Sequence, residues 1–513
     1  MTAVPKAQLS SGWLIALITL VDAMSAIWFG YCQGVFAGVL VSEDFQHLFP
    51  QTNDANVSGI VTSCFLLGAF FGAILAFISG DHLGRKKTIL LGHTLNLLGA
   101  TLQFLSWSLP QMIVGRVLNG FGMGITSTMS PVYLAECARS HLRGRLLIIG
   151  ASSNVSAFCL ANWISYGLYF QRGPLQWRFP LAFQLVFPCA IFPVLAFVPE
   201  SPRWLLLVHR GEEAMRVIAR LAGTAVEDPL VTAEYRSIKS TIRLERESRV
   251  PVMDVLRHRD KTQNFRRLLL SCGSQLMQQF SGINALGFYL PTLLHESVGF
   301  NLQMSRLLTA VSGTLYLGAA FCGLFLIDRV GRRKLMLFGS LTTASCHLIA
   351  ALCLKAGEDD PSKEKMMANV AVAMFILYHV FFGPTWGGVP WAYSAEINSL
   401  GWRTRGAAAA TATNWIMGFV VVQFTKIGVN NLRWAFYLIF AVICYSYFPI
   451  VYCFYPETSQ RKLEDMDEIF IHNPSWFVGG RHELTQRSRP EAFIHAEAAR
   501  IARGETPPPV EQV

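Results

Sequence analysis

Four amide side chains lie within a single apolar run, QLMQQFSGINALGFY at 275–289: Gln275, Gln278, Gln279 and Asn284. Burying an amide without a partner costs roughly 2–7 kcal/mol, so these groups must face a cavity or one another. Gln275, Gln279 and, more loosely, Gln278 share one face of a helix. Because an amide both donates and accepts hydrogen bonds, the pattern predicts a polar binding site; the alternative is amide bonding between helices alone. Gly282 offers a position at which this helix can bend or break.

Charged residues of both signs recur in two parts of the chain, at the ends of apolar runs. The first set is Asp81, Arg85, Glu136 and Arg143. The second set is Asp328, Arg332, Glu396 and Arg403. Such residues can bridge neighbouring helices in one conformation and release them in another, so the two sets predict a conformational charge network. An excess of cations on one side of a membrane would explain the arginines but not the repeated acids.

The sequence motifs of common catalytic sites are missing from the chain, which has no Walker loop, no HExxH and no GxSxG. The eleven cysteines form no CxxC pair and no metal-ligand spacing, so we interpret them as small buried residues and expect no metal and no cofactor. GFGMG at 120–124 lies inside an apolar run rather than after a strand. Two of its glycines form one of three small-xxx-small pairs that let helices approach closely: Gly34/Gly38, Gly68/Gly72 and Gly120/Gly124. These observations argue against an enzyme.

The composition indicates a polytopic membrane protein. Of 513 residues, 52% are hydrophobic and only 15% are charged, which is too few charges for the surface of a soluble protein of this size. The net charge of +10 is therefore not interpreted as affinity for nucleic acid. Apolar runs of about 20 residues recur, each long enough to cross about 30 Å of hydrocarbon. We predict twelve transmembrane helices, at about 13–40, 57–79, 88–108, 111–136, 145–170, 180–198, 268–294, 303–327, 334–354, 367–394, 404–427 and 431–454.

The distribution of cations predicts how the chain is oriented. The longest segment between predicted spans, 199–267, carries fourteen Lys or Arg residues, whereas the loops at 41–56 and 295–302 carry none. By the positive-inside rule, the central segment and both termini are cytoplasmic, which requires an even number of spans. The amphipathic piece GEEAMRVIARLAG predicts short helices within the central segment.

The chain also repeats itself. GDHLGRKK returns as IDRVGRRK 247 residues later, AECARSHLRGR as AEINSLGWRTRG after 260, and PESPRW as PETSQR after 257. Three motifs in one order at nearly one period predict two homologous six-helix halves, an architecture of transporters that rock about a site between the halves. We therefore divide the chain into an N-terminal segment, a first bundle, a central loop, a second bundle and a C-terminal tail, at 1–12, 13–198, 199–267, 268–454 and 455–513.

These motifs, together with PESPRWL, GGVPWAYSAEI and PETSQRKLEDMDEIF, resemble those of the sugar porter family of the major facilitator superfamily, over about residues 15–470. The fungal hexose and monosaccharide transporters are the branch that the chain resembles most. The resemblance implies an all-α membrane protein of twelve transmembrane helices that carries a hexose, pentose or related sugar by alternating access. It also implies a monomer in the lipid bilayer of the plasma membrane, with a small-molecule sugar as its partner.

The resemblance assigns roles to individual residues. It implies sugar-hydroxyl binding by Gln278, Gln279 and Asn284 in the seventh helix, with Gln275 on the same face. In the tenth and eleventh helices it implies the same role for Trp391, Asn414 and Trp415. Phe288 and Tyr289 match the position of an extracellular aromatic gate.

Three positions depart from the family pattern. Ala151 stands where a sugar-binding glutamine is usual, although Ser152, Ser153 and Asn154 follow it at once. Tyr316 stands where an asparagine is usual, and Gly388 replaces a proline. The preferred substrate therefore remains open among hexoses, pentoses, polyols and sugar acids.

A fourth departure concerns proton coupling. Cys32 stands where proton-coupled members of the family usually carry an aspartate, at a depth similar to that of Arg116. A thiol buried in apolar surroundings stays neutral and cannot replace that aspartate as a proton carrier. Asp22 lies ten residues away, about 15 Å closer to the cytosol along a helix. We therefore favour facilitated diffusion; the alternative is proton symport, with Asp22 or another acid as the carrier.

A sugar sensor built on a transporter body is a second alternative. Such proteins usually carry a long cytoplasmic tail, whereas the segment that follows the last predicted span here is short. Sugar uptake in a host that lacks its own transporters separates the two classes, because a sensor signals without flux.

Overall fold

The computed structural model describes residues 10–138, 140–461 and 463–487. The described residues form helices joined by turns and short loops, with no β-strand among them. Of the predicted terminal segments, residues 1–9 and 488–513 lie outside the described part of the chain.

The first bundle contains eight α-helices, of which five are long, two follow each other end to end and one is short. They are α1 Ser11–Leu40, α2 Glu43–Leu48, α3 Ala55–Leu83, α4 Arg85–Phe104, α5 Leu109–Cys137, α6 Ser140–Gly167, α7 Leu175–Phe183 and α8 Val186–Phe197. Short 3-10 turns at Pro50–Asn53 and Leu168–Phe170 lie in the connections. The apolar, nearly charge-free sequence of α1 and α3 explains why both run for about 30 residues without a break.

Four short helices connect the two bundles, in a segment that we call the linker, 198–263. They are α9 Pro202–Leu207, α10 Gly211–Ala222, α11 Pro229–Glu247 and α12 Val252–Leu256. Local signals in the sequence begin these helices, because Ser201 caps α9, Asp228 caps α11, and each of the two helices starts with a proline. We call the end of the bundle at which the linker lies the linker side, and the opposite end the far side.

The second bundle and the tail contain ten α-helices. They are α13 Asn264–Phe280, α14 Ile283–Glu296, α15 Leu302–Val330, α16 Arg332–Asp359, α17 Glu364–Phe382, α18 Val389–Ile397, α19 Arg403–Leu432, α20 Trp434–Phe454, α21 Leu463–His472 and α22 His482–Thr485. A π-helical turn, Gly383–Gly387, joins α17 to α18. Gly282, with φ +97°, separates α13 from α14, so the predicted bend in the amide-bearing helix is confirmed.

Nine helical segments among the described residues are long and apolar enough to cross a membrane. Three further segments occupy the remaining places in the two bundles: α4, α5 and the broken pair α13–α14. Their sequences are less apolar because each carries arginine and amide side chains within its span. The prediction of an all-α membrane protein is confirmed, and the architecture is consistent with twelve spans.

Within the first bundle, glycines bring helix backbones into direct contact. An ideal Cβ on Gly120 of α5 would lie 1.9 Å from the carbonyl oxygen of Phe65 in α3, and one on Gly72 would lie 2.0 Å from that of Phe121. Gly34 and Gly38 of α1 face α6 at similarly short range. The predicted close packing at the small-xxx-small pairs is therefore confirmed, and these backbones cannot separate without losing their contact.

Polar contacts join the two bundles on the far side. Ser63 of α3 donates to Gln423 of α19 at 2.7 Å. Arg306 of α15 donates to the carbonyl oxygens of Ser165 and Gly38 at 3.1 and 3.2 Å. Among the described residues, the direct hydrogen bonds between the bundles all lie in this half of the molecule. We call these hydrogen bonds between the bundles, which include the Tyr289–Ser58 bond described below, the far-side seal.

The packing predicts that Gly120→Ala destabilises the protein, because the added Cβ overlaps the Phe65 carbonyl and overpacking of this kind costs about 1–3 kcal/mol. The midpoint of thermal aggregation in detergent, followed by size-exclusion chromatography, should fall. Gly318→Ala in α15 is the matched control, since nothing lies within 4 Å of its added Cβ. An equal response of the two variants would contradict the account of the glycine contacts.

Candidate substrate site

The predicted amide residues meet in one buried cluster. Asn414 of α19 donates to the side-chain oxygens of Gln275 and Gln278 in α13, each at 2.7 Å. Gln278 in turn donates to the carbonyl oxygens of Trp386 and Gly387, at 2.7 and 3.0 Å. The cluster thus ties α13 to α19 and to the π-helical turn, as the cost of an unpaired buried amide requires.

A second amide pair lies across the break between α13 and α14. Asn284 donates to the side-chain oxygen of Gln279 at 2.5 Å, and the positive-φ residue Gly282 lies between the two in the chain. Gly418 of α19 packs close to both, because its ideal Cβ would lie 2.9 Å from the Asn284 amide nitrogen. Any change in the angle between α13 and α14 therefore changes the geometry of this pair.

Of the predicted aromatic residues, Trp415 lies at the boundary between the bundles. Trp415 of α19 is 1% exposed, and its ring meets Phe29 of α1 at 5.2 Å across the boundary between the bundles. The Trp415 indole N–H has no partner in the described part of the chain, so it is available to a bound hydroxyl oxygen. Trp391 of α18 is 37% exposed. Sequence reasoning missed Phe29, and its single position in an apolar run carried no signal for this role.

Two of the positions that depart from the family pattern, Ala151 and Tyr316, lie on α6 and α15. A cavity of about 620 Å³ lies in the linker-side half between α1, α6 and α15, and Ile27, Ser152, Ser153 and Phe325 are among its lining residues. Ala151 is exposed beside these serines. Tyr316 packs against the rings of Phe158, His379 and Phe382, where the family pattern led us to expect an amide. No residue of the amide cluster is among those that line the cavity between α1, α6 and α15.

The two predicted gate residues are buried on α14, between the amide pair and the far side. The Tyr289 hydroxyl donates to the carbonyl oxygen of Ser58 in α3 at 3.4 Å. Phe288 is 1% exposed in the same packed region. Near the end of α14, Glu296 lies 4.0 Å from Lys426 of α19. One helix therefore connects the amide pair to the far-side seal.

The first predicted charge network forms at the linker side. Arg85 binds Glu136 through two nitrogens, at 2.9 and 3.0 Å, and Asp81 at 3.1 Å. Arg203 of the linker lies 3.8 Å from Glu136 and also binds Glu245 of α11. The side chain of Arg143, predicted to belong here, lies outside the described residues. The network ties α3, α4 and α5 to the linker.

The second network repeats this pattern with similar burial. Arg332 binds Glu396 through two nitrogens, at 2.7 and 3.1 Å, and the exposed Asp328 at 2.8 Å. Thr458 donates to Glu396 at 2.6 Å. Arg403 begins α19 shortly after Glu396 in the chain. Each network joins helices of a single bundle, the first network those of the first bundle and the second network those of the second. That these ion pairs break during a conformational change stays a prediction.

Two glutamates to which the sequence assigned no role bind the N-terminal ends of α4 and α16. Glu200 accepts hydrogen bonds from the backbone N–H groups of Arg85 and Lys86, at 3.0 and 3.1 Å. Glu457 accepts the equivalent bonds from Arg332 and Arg333, at 2.9 and 3.2 Å. A carboxylate at a helix N-terminus is stabilised by the helix dipole. Burial nevertheless raises the pKa of the Glu200 carboxyl above its ordinary value. The repeated PES and PET motifs were the available signal.

The contacts of Cys32 and Arg116 are with neutral groups. The Cys32 sulfur lies 3.4 Å from the side-chain oxygen of Gln184, which accepts a hydrogen bond from Asn119 at 2.8 Å. Arg116 donates to the carbonyl oxygen of Thr62 at 2.8 Å and lies 3.6 Å above the centre of the Phe36 ring. No carboxylate of the described chain forms an ion pair with Arg116.

Asp22 is buried deeper towards the linker side. It is 3% exposed on α1, and an ideal Cβ on Gly150 of α6 would lie 2.3 Å from its carboxylate. The acid is therefore packed against α6, ten residues along α1 from Cys32.

Comparisons with known proteins agree on one family and one fold. The family model described as "Sugar (and other) transporter" matches residues 18–470. "MFS-type transporter oryC" of Aspergillus oryzae is 42% identical over 502 residues, which cover 97% of this chain and 93% of that protein. "Sugar transporter STL1" of Saccharomyces cerevisiae is 33% identical over 498 residues, or 94% and 86% of the two chains.

A solved structure supports the fold. The xylose transporter XylE from E. coli, in a partially occluded inward-open conformation, superposes with a TM-score of 0.73 at 22% sequence identity. The match covers 87% of this chain and 99% of that one. At this identity the match establishes the arrangement of the helices, which is that of the major facilitator superfamily.

The charge networks predict unequal effects of two neutral substitutions. Glu396→Gln leaves the buried Arg332 without its bidentate partner, and breaking a buried pair of this kind costs about 3–5 kcal/mol. Asp328→Asn removes a partner whose side chain is 71% exposed, so its effect should be small. The midpoint of thermal aggregation of the purified protein measures both. A fall in stability for Asp328→Asn that equals the fall for Glu396→Gln would be inconsistent with this ranking.

Proposed function

The chain belongs to the Sugar (and other) transporter family, a family of transporters rather than enzymes, and we propose that it carries a monosaccharide across a membrane by alternating access. The observation that carries the proposal is the amide cluster of Gln275, Gln278 and Asn414, with the pair Gln279 and Asn284 beside it. The name of the yeast relative, a sugar transporter, supports the substrate class. A hexose, a pentose or a related sugar would fit this description.

The chemistry of the cluster suits a sugar. Each amide both donates and accepts, so a hydroxyl group can replace one amide–amide bond with two amide–hydroxyl bonds. The free indole N–H of Trp415 supplies another donor, and the exposed ring of Trp391 supplies a flat apolar surface for a ring face. Gln279 and Asn284 lie on opposite sides of the helix break, so a sugar bound to both would also fix the break.

The packing supports movement of the two bundles as bodies. Backbone contacts at the glycines hold α3 against α5, whereas the far-side seal consists of side-chain hydrogen bonds such as Ser63–Gln423. A hydrogen bond of this kind contributes about 1 kcal/mol net, so a few of them can break and re-form during transport. The seal is therefore the reversible part of the structure.

Orientation and location belong to the same proposal. The linker carries more cations than any other segment between spans, so we infer that the linker and both termini are cytoplasmic and that the far side is extracellular. The protein would then act in the plasma membrane as a monomer, since each chain contains a whole site between its two bundles.

For energy coupling we favour facilitated diffusion. Coupling requires that a proton bind one conformation better than another. Cys32 contacts the amides Gln184 and Asn119, and Arg116 rests on a carbonyl group and the Phe36 ring, so no acid is available beside the arginine to take up that proton. Proton symport through Asp22 is the alternative.

Removing the amides or the exposed indole should impair uptake. In a host without its own sugar transporters, Gln278→Ala, Gln279→Ala and Trp391→Ala should each raise the KM for sugar uptake by about fivefold or more, because each loses about 1 kcal/mol of binding. Gln103→Ala is the matched control: this buried amide of α4 bonds to Gly99 and Gly115, away from the cluster. Normal uptake by all three variants at normal surface levels would place the site elsewhere.

Facilitated diffusion predicts that sugar entry carries no protons. Adding sugar to deenergised cells should leave the external pH unchanged, and the internal sugar concentration should reach but not exceed the external one. Alkalinisation on sugar addition, or accumulation that a protonophore abolishes, would establish symport instead. Cys32→Asp should introduce pH dependence, because it places a titratable group near Arg116.

A further inference from the structure

The break between α13 and α14 is held by three helices of the second bundle. The carbonyl oxygen of Ser281 accepts a hydrogen bond from Nε2 of His347 in α16 at 2.9 Å, with the Cys444 sulfur of α20 at 3.8 Å. The Ser281 hydroxyl donates to the Gln278 carbonyl at 2.6 Å and pairs with the Tyr378 hydroxyl of α17 at 3.0 Å. A backbone carbonyl at the end of a broken helix needs such partners, because no water is available at this depth.

The contact fixes the tautomer and position of the His347 ring. A carbonyl oxygen only accepts, so Nε2 carries the hydrogen, and Nδ1 has no partner among the described residues. The ring stacks on Phe440 at 5.5 Å and lies 4.7 Å from the Tyr378 ring. An ideal Cβ on Gly282 would lie 3.1 Å from Nε2. The imidazole thus packs directly against the hinge glycine.

The first bundle contains the same pair without a hinge. His93 of α4 places Nε2 3.0 Å from the hydroxyl of Ser25 in α1, and its Nδ1 is also unpartnered among the described residues. The two residues lie 68 apart in the chain, and Ser281 and His347 lie 66 apart. The pair therefore recurs in both repeats, between the first and third long helices of each bundle. However, α1 is continuous from Ser11 to Leu40, whereas α13 and α14 are separate helices.

The hinge at Gly282 is linked to both the amide pair and the far-side seal. The Gln279–Asn284 bond spans the break. Beyond the break, α14 extends to Tyr289, whose hydroxyl donates to the Ser58 carbonyl oxygen of the first bundle. The angle at the hinge therefore determines both the spacing of these amides and the position of the seal.

We propose that His347 is a positioning residue for the hinge: by holding the Ser281 carbonyl, it keeps α14 at the angle that closes the far-side seal. Its part in transport rests on the function proposed above, but its effect on the seal does not require a substrate. Losing the hydrogen bond weakens the sealed state relative to the open one. A bond of this strength corresponds to a shift of about fivefold in that equilibrium.

The seal can be probed with a thiol at position 58. The Ser58 side chain is 1% exposed, and Tyr289 bonds to its backbone carbonyl, so Ser58→Cys preserves that bond. A membrane-impermeant methanethiosulfonate reagent is applied to the far side of the full chain in sealed vesicles, and mass spectrometry follows modification of position 58. His347→Phe, which retains the stacking on Phe440, should accelerate modification about fivefold. His347→Gln, whose amide N–H can replace Nε2, should restore the parent rate.

His93→Phe is the matched control, because it removes the corresponding histidine contact, with the Ser25 hydroxyl of a continuous helix, and should leave the rate at position 58 unchanged. Tyr378→Phe, which loses only the hydroxyl that contacts Ser281, should accelerate modification in the same direction and covers the case in which His347→Phe does not fold. An unchanged rate in both second-bundle variants, or equal acceleration by His93→Phe, would overturn the proposal. Sugar uptake by the parent is measured alongside: acceleration without parental uptake would refute the proposed function and leave the hinge proposal standing.

Discussion

A polar group in the core of a bilayer has no water to bond, so each amide and carbonyl there must find its partner within the protein. In this chain Asn414 satisfies the oxygens of Gln275 and Gln278, and His347 satisfies the carbonyl that the helix break leaves at Ser281. The proposed substrate site is thus assembled from groups that already bind one another. A hydroxyl-bearing ligand exchanges one pairing for another, and the net free energy of that exchange is small enough for release.

The same constraint separates the rigid parts of the molecule from the movable ones. Glycine contacts such as Gly120 with the Phe65 carbonyl fix helices within a bundle, and the buried Arg332–Glu396 pair fixes their linker-side ends. Contacts between the bundles use side-chain hydrogen bonds near the far side, such as that between Ser63 and Gln423. We therefore expect movement at the boundary between the bundles and at the break at Gly282.

Much of the fold followed from the sequence, because apolar runs and a repeated set of motifs determine helix number and order. The amide cluster was also predictable, since unpaired amides at helical spacing must meet. The partner of Glu396 could be expected from the duplicated motifs, but the Gln184 that contacts Cys32 could not. Periodicity identifies the buried face of a helix without saying which distant helix meets it. For the same reason His347 gave no signal: its role depends on a hinge 66 residues earlier in the chain.

Sugar bound at the hinge-spanning pair Gln279 and Asn284 should change the position of α14. Spin labels at Asn56, beside the start of α3, and at Ser297, just beyond α14, report that position directly in a background with the exposed Cys189 and Cys322 replaced by serine. Pulsed electron paramagnetic resonance would compare the distribution of distances between the two labels with and without a saturating monosaccharide. We expect a sugar-dependent shift in this distance, which Asn284→Ala abolishes. Identical distributions with a bound sugar would contradict it.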